Sequence, residues 1–516
     1  MFDCTQLEIT NVIKNSKNSK SEGIDHLSNF LLKHIASNIV IPLQHVFNLS
    51  FNTGHFPSCL LTSKVIPLFK SGDNKLMTNF RPISLISSLS KIMERIIFSR
   101  LTTFFENNNV LVANQYGFRS KRSTEFAIVD VINFLSKNIE SKQFSVGIFL
   151  DLSKAFDSLN HSILLHKLFH YGVRGIAYAW FDSYLTNRYQ YVSINGTESS
   201  LALIHSGVPQ GSILGPLLFN IFINDFVNCS TILKFILFAD GTTILHSHSD
   251  INELSRVVNY ELSFVYDWIT CNNLRINLSK TNFIIFGPKI RTNTINIHLK
   301  ISDNVLLRVD SAKFLGVIIS SNLSWYEHIC NISKKNSKNI GIMYKLKNKF
   351  PFHIKKLLYN CLILPYLTYC VSIWGFSPKS HLEILNLSQN FYIRVLFNFK
   401  KFDHITFFLT SSKVLRVKDL HIVYSLLLLF KIMKLNYCLH FITDLMKYKY
   451  VCFVNLRNKP EFYLSKPRTN FFVNSVLSIA MRLWNKLPFY IKNSPNLSMF
   501  KRKIYCLIAE GFFHKF

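Results

Sequence analysis

The chain has 516 residues, of which 59 are Lys or Arg and 29 are Asp or Glu, a formal charge of +30 at pH 7. With 48% apolar and 14% aromatic residues it is not an acidic, solvating or disordered chain, and at roughly 150 residues per domain its length suits three or four domains with a sizeable core. A folded protein this basic suits polyanionic partners, either nucleic acid or an anionic membrane surface.

The first sixty or so residues read as helices interrupted by the polar stretch 14–23, with Ile24, Leu27, Phe30, Leu31, Ile35 and Ile39 recurring at helical spacing. Residues 1–10 contain Asp3 and Glu8 and lack the apolar segment of a secretory signal. Ten cysteines are scattered along the chain without a C-x-x-C pair. That spacing speaks against a structural zinc site and for reduced thiols in an intracellular protein.

From about residue 63 to 320, short apolar runs alternate with helical patterns and Gly/Pro punctuation, a mixed α/β organisation. Residues 145–150, with Val146, Ile148 and Phe149, form an apolar strand that ends at Asp151. A carboxylate there is poorly placed for packing and well placed for a metal, although a turn residue or a helix cap is the better account of a lone Asp. Next comes Ser206-Gly-Val-Pro-Gln-Gly-Ser212 before a helical pattern over 213–225. Two glycines and a proline ahead of a helix let the backbone approach a ligand and aim the helix N-terminus at it, or simply make a turn. Residues 233–239 and 242–245 then flank Asp240-Gly241, a strong hairpin signal that requires no chemistry by itself. The order of the three pieces says more than any one of them.

After Trp325 the pattern becomes mostly helical and basic. Residues 330–360 hold eight lysines (334, 335, 338, 345, 347, 349, 355 and 356) and no Asp or Glu. At about 100° per residue, Lys334, Lys338, Lys345 and Lys349 fall within an arc of about 60° on one helix face. Ile332, Ile340, Met343 and Leu346 cluster around the opposite face, and Pro351 ends the helix. Such a face is either solvated or a grip for phosphates. Residues 357–376 carry no formal charge and are long enough on paper to span a bilayer, but Asn360, Pro365, Thr368 and Ser372 interrupt them. A buried helix with a turn at Pro365 is the preferred reading.

The ordered blocks resemble the reverse transcriptases of non-LTR retrotransposons, in particular the jockey-like group. The matching text includes Val65-Ile-Pro-Leu-Phe-Lys70, Asn79-Phe-Arg-Pro-Ile-Ser84, Gln115-Tyr-Gly-Phe-Arg119 and Phe149-Leu-Asp-Leu-Ser-Lys-Ala-Phe-Asp157. It continues with Gly207-Val-Pro-Gln-Gly211, Phe238-Ala-Asp-Gly241, Asn277-Leu-Ser-Lys-Thr281 and Lys313-Phe-Leu-Gly316. Tyr369-Cys-Val-Ser-Ile-Trp-Gly375 and Leu483-Trp-Asn-Lys-Leu-Pro488 extend it towards the C-terminus. The resemblance implies an α+β right-hand polymerase. An N-terminal helical extension (1–62) would precede fingers and a palm of antiparallel sheet plus helices (63–320), followed by a mostly helical, basic thumb and C-terminal region (321–516). The implied reaction is attack of a DNA primer 3′-hydroxyl on the α-phosphate of a dNTP paired to an RNA template, with two Mg²⁺ ions, or Mn²⁺ in their place.

Carried over by motif, Asp151 and Asp240 are the metal ligands, assisted by the Leu152 carbonyl. Phe156 matches the steric gate against a ribose 2′-hydroxyl, and Arg81 a residue that holds the triphosphate. Gln210 would lie against the incoming nucleotide or template and Lys280 would protonate the leaving pyrophosphate, while the place of the basic face just after the palm, where the family has its thumb, would set Lys334, Lys338, Lys345 and Lys349 against the template–primer backbone. Asp157 is read as the cap of the following helix. Two departures stand out. The family's turn reads Ala-Asp-Asp, and Gly241 occupies the place of the second Asp. The expectation is an impaired polymerase, the alternative a remnant that only binds RNA. Relatives carry an endonuclease domain ahead of the polymerase, which this chain is expected to lack, so an endonuclease supplied in trans joins the expected partners. No membrane partner is expected, and the expected location is the nucleus or a cytoplasmic ribonucleoprotein.

Overall fold

The computed structural model describes residues 2–287, 297–400, 403–405, 414–438, 440–446, 461–463 and 467–515. Three helices open the chain: α1 (Gln6–Asn15), α2 (Asn29–His34) and α3 (Ala36–Thr53). The periodicity read over 24–39 is only partly realised. The Ser28 hydroxyl accepts the Leu31 N–H and so starts a helix at Asn29, which buries Leu32 and leaves Phe30 and Leu31 exposed.

Next come β1 (Thr62–Phe69), β2 (Phe80–Leu85), α4 (Ser88–Asn107), α5 (Thr124–Glu140), β3 (Phe144–Asp151), α6 (His161–His170) and α7 (Ile176–Leu185). They are followed by β4 (Tyr189–Ile194), β5 (Thr197–Glu198), β6 (Ala202–Leu203), α8 (Gly215–Phe222), β7 (Lys234–Phe238), β8 (Gly241–His248) and α9 (Ile251–Cys271). The last strands are β9 (Asn282–Phe286), β10 (Lys300–Ile301), β11 (Asn304–Val305), β12 (Leu307–Arg308), β13 (Ser311–Phe314) and β14 (Val317–Ser320).

Two five-stranded sheets organise this mixed α/β chain. The first has the order β2-β1-β4-β5, with β6 on β4, and β1 runs antiparallel to β2 but parallel to β4. The second has the order β12-β9-β3-β8-β7 and is antiparallel except where β12 joins β9. β3 reads as an unbroken apolar run because both faces of this sheet are covered. Val146, Ile148 and Leu150 join a core built with α3, α4 and α6–α9. Ile236, Leu245, Ile284 and Phe286 join a second core, shared with α5 and the C-terminal helices.

The C-terminal region is helical. Residues 357–376 do not form one helix. The helix Phe352–Leu362 stops at Ile363, Pro365 opens the short helix Leu364–Thr368, and Cys370 (φ 52°) breaks the chain again before Val371–Trp374. No described helix is long and apolar enough to cross a membrane.

The basic helix runs from Tyr326 to Lys345, with Ile332, Ile340 and Met343 buried and Lys334, Lys338 and Lys345 exposed. It does not continue to Pro351. The Leu346 N–H bonds to both Ile342 and Met343 carbonyls, and the Lys347 N–H reaches Tyr344, so the last turn tightens and closes. Lys349 therefore lies in the turn beyond the helix, Leu346 caps it, and Pro351 instead precedes the next helix. Lys355 is buried, donating to Asn398 Oδ1 (3.1 Å) and the Val395 carbonyl (3.5 Å) at the end of the helix Lys379–Phe397.

Candidate active site

β3 ends at Asp151, whose partner across the ladder is Gly241, while Gly241 pairs on its other side with Phe238. The turn between β7 and β8 is thus Ala239–Asp240, one place earlier than an Asp-Gly turn would sit, and Gly241 is the first residue of β8. The left-handed position belongs to Ala239 (φ 54°). A buried glutamine from another segment accounts for the shift: Gln115 Oε1 accepts the Ala239 N–H (3.2 Å) and the Gly117 N–H (2.8 Å). The 115–117 backbone presses so closely that a Cβ on Gly117 would sit 2.3 Å from the Ala239 nitrogen.

The segment before β9 wraps Asp151. Lys280 Nζ lies 3.5 Å from Asp151 Oδ2, and Asn277 Nδ2 donates to the same oxygen at 3.2 Å. The Asn277 N–H bonds to the Asp151 carbonyl (2.8 Å), and the Asp151 N–H to Thr281 Oγ1 (3.3 Å). Burial holds the Asp240 carboxyl above the usual carboxylate range, and the Asp151 charge pushes the same way, while Lys70 and Lys280 pull it down. Asp151, Asp240, Lys280 and Lys70 therefore share one electrostatic site, with the Leu152 backbone between strand and loop. Lys70 and Asn277 were not singled out from the sequence. Their only signal was membership in the blocks 65–70 and 277–281.

The donors suit a hard divalent cation in kind. Mg²⁺ is commonly held through one or two carboxylates together with water and substrate phosphates. In number the set is thin: among the described residues no group of three or more His, Cys, Asp or Glu converges as a metal site. Beside Asp240 stands Gly241, where an added Cβ would meet only the Phe238 carbonyl oxygen, at 3.5 Å.

The loop 206–212 is clamped from two sides. Its Gly207 N–H bonds to Leu159 O (2.8 Å), Val208 N–H to Phe156 O (3.0 Å), and His161 Nε2 reaches Gly207 O at 2.7 Å. From the first sheet, the Ser84 N–H bonds to Gln210 O at 2.8 Å. A Cβ on Gly207 (φ 84°) would sit 2.7 Å from Asp157 O, and one on Gly211 (φ 143°) 2.3 Å from Ser84 O. Gln210 Nε2 donates to Asp157 Oδ1 (2.8 Å). Asp157 therefore orients Gln210 and does not cap α6, whose N-cap is Asn160. Phe156 is half-buried, stacked on Phe219 (4.6 Å between centroids) and edge-on to Phe118 (6.2 Å). Arg81 is exposed on β2, opposite Leu68.

Glu94 of α4, unnoticed in the sequence, is fully buried beneath this loop. It accepts Ile213 N–H (2.6 Å), Leu214 N–H (3.3 Å), the Tyr184 hydroxyl (3.0 Å) and the Ser90 hydroxyl (3.3 Å). It thereby anchors the backbone just ahead of α8, whose first N–H, that of Gly215, is accepted by Ser212 Oγ at 3.0 Å. Nothing local distinguishes a Glu that solvates a helix from one that does this. Lys334, Lys338, Lys345 and Lys349 belong to a different part of the fold, on and just past the basic helix.

With this geometry in view, residues 70–319 match the family model described as reverse transcriptase (RNA-dependent DNA polymerase). The chain is 29% identical over 393 residues to the RNA-directed DNA polymerase from mobile element jockey of Drosophila melanogaster, covering 74% of this chain and 42% of that protein. To the probable RNA-directed DNA polymerase from transposon BS of the same species it is 28% identical over 410 residues, 75% and 44% of the two chains. To that from transposon X-element, also of that species, it is 27% identical over 398 residues, 75% and 43%. The chain thus spans about two fifths of the length of the curated relatives it matches. The resemblance to non-LTR retrotransposon reverse transcriptases is borne out as a resemblance: residues 70–319 match the reverse transcriptase model, and these relatives are RNA-directed DNA polymerases of mobile elements.

Proposed function

We propose that this chain, with its reverse transcriptase domain, acts as an RNA-directed DNA polymerase of a non-LTR retrotransposon, taking an RNA template, a DNA primer and dNTPs. The observation that supports it most is the β3–β8 register, which sets Asp151 opposite residue 241 and beside Asp240, with Lys280 3.5 Å from Asp151. In this reading the first sheet is the core of the fingers, the second that of the palm, and the C-terminal helices include the thumb. A divalent ion held by Asp151, Asp240 and the Leu152 carbonyl would supply charge neutralisation at the triphosphate and an acidified primer hydroxyl.

The protein's own groups do the rest. Arg81 binds the triphosphate as a planar, permanently charged fork. Gln210, oriented by Asp157, lies against the nucleotide or template, and Phe156, wedged by Phe219 and Phe118, occupies the space a 2′-hydroxyl would need. As the bond from the primer 3′ oxygen to the α-phosphorus forms, the hydroxyl proton passes to water, the bond from the α-phosphorus to pyrophosphate breaks, and Lys280 gives the leaving group a proton.

Gly241 favours a second reading, a remnant that binds RNA without copying it. Primer extension on an RNA template with Mg²⁺ or Mn²⁺ separates the two. Extension by the native chain supports the polymerase, and extension by Gly241→Asp alone supports a remnant whose site lost its activity at residue 241. Retained RNA binding with no extension by either supports the remnant.

A further inference from the structure

We infer that Tyr344 and Phe391 form a stacking step for the bases of an unpaired nucleic-acid strand on the flank of the basic helix. This rests on the nucleic-acid-binding reading above and goes beyond it by naming the form of the strand and the contacts that recognise it.

Tyr344 sits in the last turn of the helix Tyr326–Lys345, and Phe391 on the helix Lys379–Phe397 packed beside it. Their rings lie nearly parallel, 29° apart with centroids at 5.8 Å, yet they are 49% and 42% exposed. The neighbouring pair behaves differently. Tyr359 and Tyr392 also stack, at 4.4 Å and 19°, but are buried, so the core of this region is already closed without Tyr344 and Phe391. Phe391 and Tyr392 are sequence neighbours, one turned inward and one outward.

The charge around the exposed pair selects its partner. The Lys347 ammonium lies 4.7 Å from the Tyr344 ring centroid, and Lys345 is exposed next to it. Between residues 328 and 382 the sequence contains no Asp or Glu. On the helix of Phe391 the nearest carboxylate in sequence is Glu383, about two turns away, and an apolar step bordered by cations matches the alternation of base and phosphate along a strand. It matches an unpaired strand in particular, because bases inside a duplex already cover one another's faces. When a base takes the outer face of a ring, the four-carbon stem of Lys347 lets its ammonium move to the adjoining phosphate.

The full-length chain is titrated by fluorescence anisotropy with a labelled single-stranded oligouridylate and with an RNA–DNA duplex of equal length, over a range of salt. Tyr344→Ala and Phe391→Ala should each weaken single-strand binding roughly 5- to 150-fold, the stacking contribution of one base. Duplex affinity and the salt slope should stay as in the native chain, because stacking releases no counterions. Phe391→Trp should keep the affinity and gain an indole emission quenched by the single strand but not by the duplex. Single-strand affinity within about twofold of native in both alanine variants, or an unquenched indole, overturns the step; so does an equal loss on both ligands. Lys338→Gln with Lys345→Gln serves as the separate arm. If it flattens the salt slope while the aromatic variants do nothing, the step falls and the nucleic-acid reading stands. If the native chain binds neither ligand at low salt, both fall.

Discussion

Replacing Gly241 by Asp adds a carboxylate directly across the β3–β8 ladder from Asp151. The backbone admits it: the position is not left-handed, and the new Cβ meets only the Phe238 carbonyl oxygen at 3.5 Å. Residues directly opposite on an antiparallel pair project to the same face with Cβ atoms about 5 Å apart. At that separation and an effective dielectric of about 20, two carboxylates repel by about 3 kcal/mol. Asp151 keeps 35% of its side chain exposed, and solvent screening brings the figure down to the order of 1 kcal/mol.

The metal-free variant should therefore melt below the native chain in EDTA. The same concentrated charge attracts a divalent cation, so Mn²⁺ should reverse the order of the two melting curves, and its affinity should rise about tenfold or more with the added ligand charge. Primer extension should rise with it, from nothing or very little, because a lost ligand acts on transition-state charge more than on template binding. Equal melting curves with and without Mn²⁺, equal Mn²⁺ affinity and equal extension would refute the argument at its first step, the placement of residue 241 at a metal site.

Three further outcomes follow from named contacts. Combined Lys338→Gln, Lys345→Gln and Lys349→Gln should weaken RNA–DNA duplex binding and flatten the slope of log K against log salt by about 2–3 units, and an unchanged slope would mean that these lysines face only water. Gly117→Ala should destabilise the fold by about 1–3 kcal/mol in a denaturant titration, since its Cβ would stand 2.3 Å from the Ala239 nitrogen; an unchanged midpoint would show that the 115–117 segment does not press on the turn. The Asp240 carboxyl is held above its ordinary value by burial and by Asp151. The folded state therefore binds more protons than the unfolded one in the interval above the ordinary carboxylate value, and stability should fall as pH rises through it. Asp240→Asn should remove that decline and raise the melting temperature at neutral pH without divalent ions. A variant with the native pH profile would place the proton elsewhere.

Part of what could be read locally was read correctly. The apolar strand ending at Asp151 and the hairpin around Asp240 are there, because each is specified by neighbours within a few residues and by a sheet covered on both faces. Three errors are non-local. Ala239, not Asp240, takes the left-handed turn position, next to an acceptor that arrives from Gln115, 124 residues away. Asp157 looked like a cap because it precedes a helix; it serves Gln210, 53 residues on, and Asn160 does the capping. Lys355 counted among the lysines of the basic stretch 330–360, yet Val395 and Asn398 supply the acceptors that let it be buried. In each case the deciding partner lies outside any window that periodicity or capping rules can see.

That same non-locality explains why the motifs carried information as an ordered set. Gly117 lies against Ala239, Gly207 against Asp157, and Gly211 against Ser84, each so close that a methyl group would collide. The glycines are thus points where two of the recognised blocks touch: 115–119 with 238–241, 149–157 with 207–211, and 207–211 with 79–84. Asp151 is in turn wrapped by Asn277, Lys280 and Thr281 from a further block. Residues that look like separate turns along the chain form one connected shell around two carboxylates. Within that shell Gly241 is the exception. It is the motif position with free space at its Cβ, so neither backbone strain nor close packing requires a glycine there. A glycine that nothing in the fold demands leaves room for a carboxylate across the ladder from Asp151, which is the change that the melting and extension measurements test.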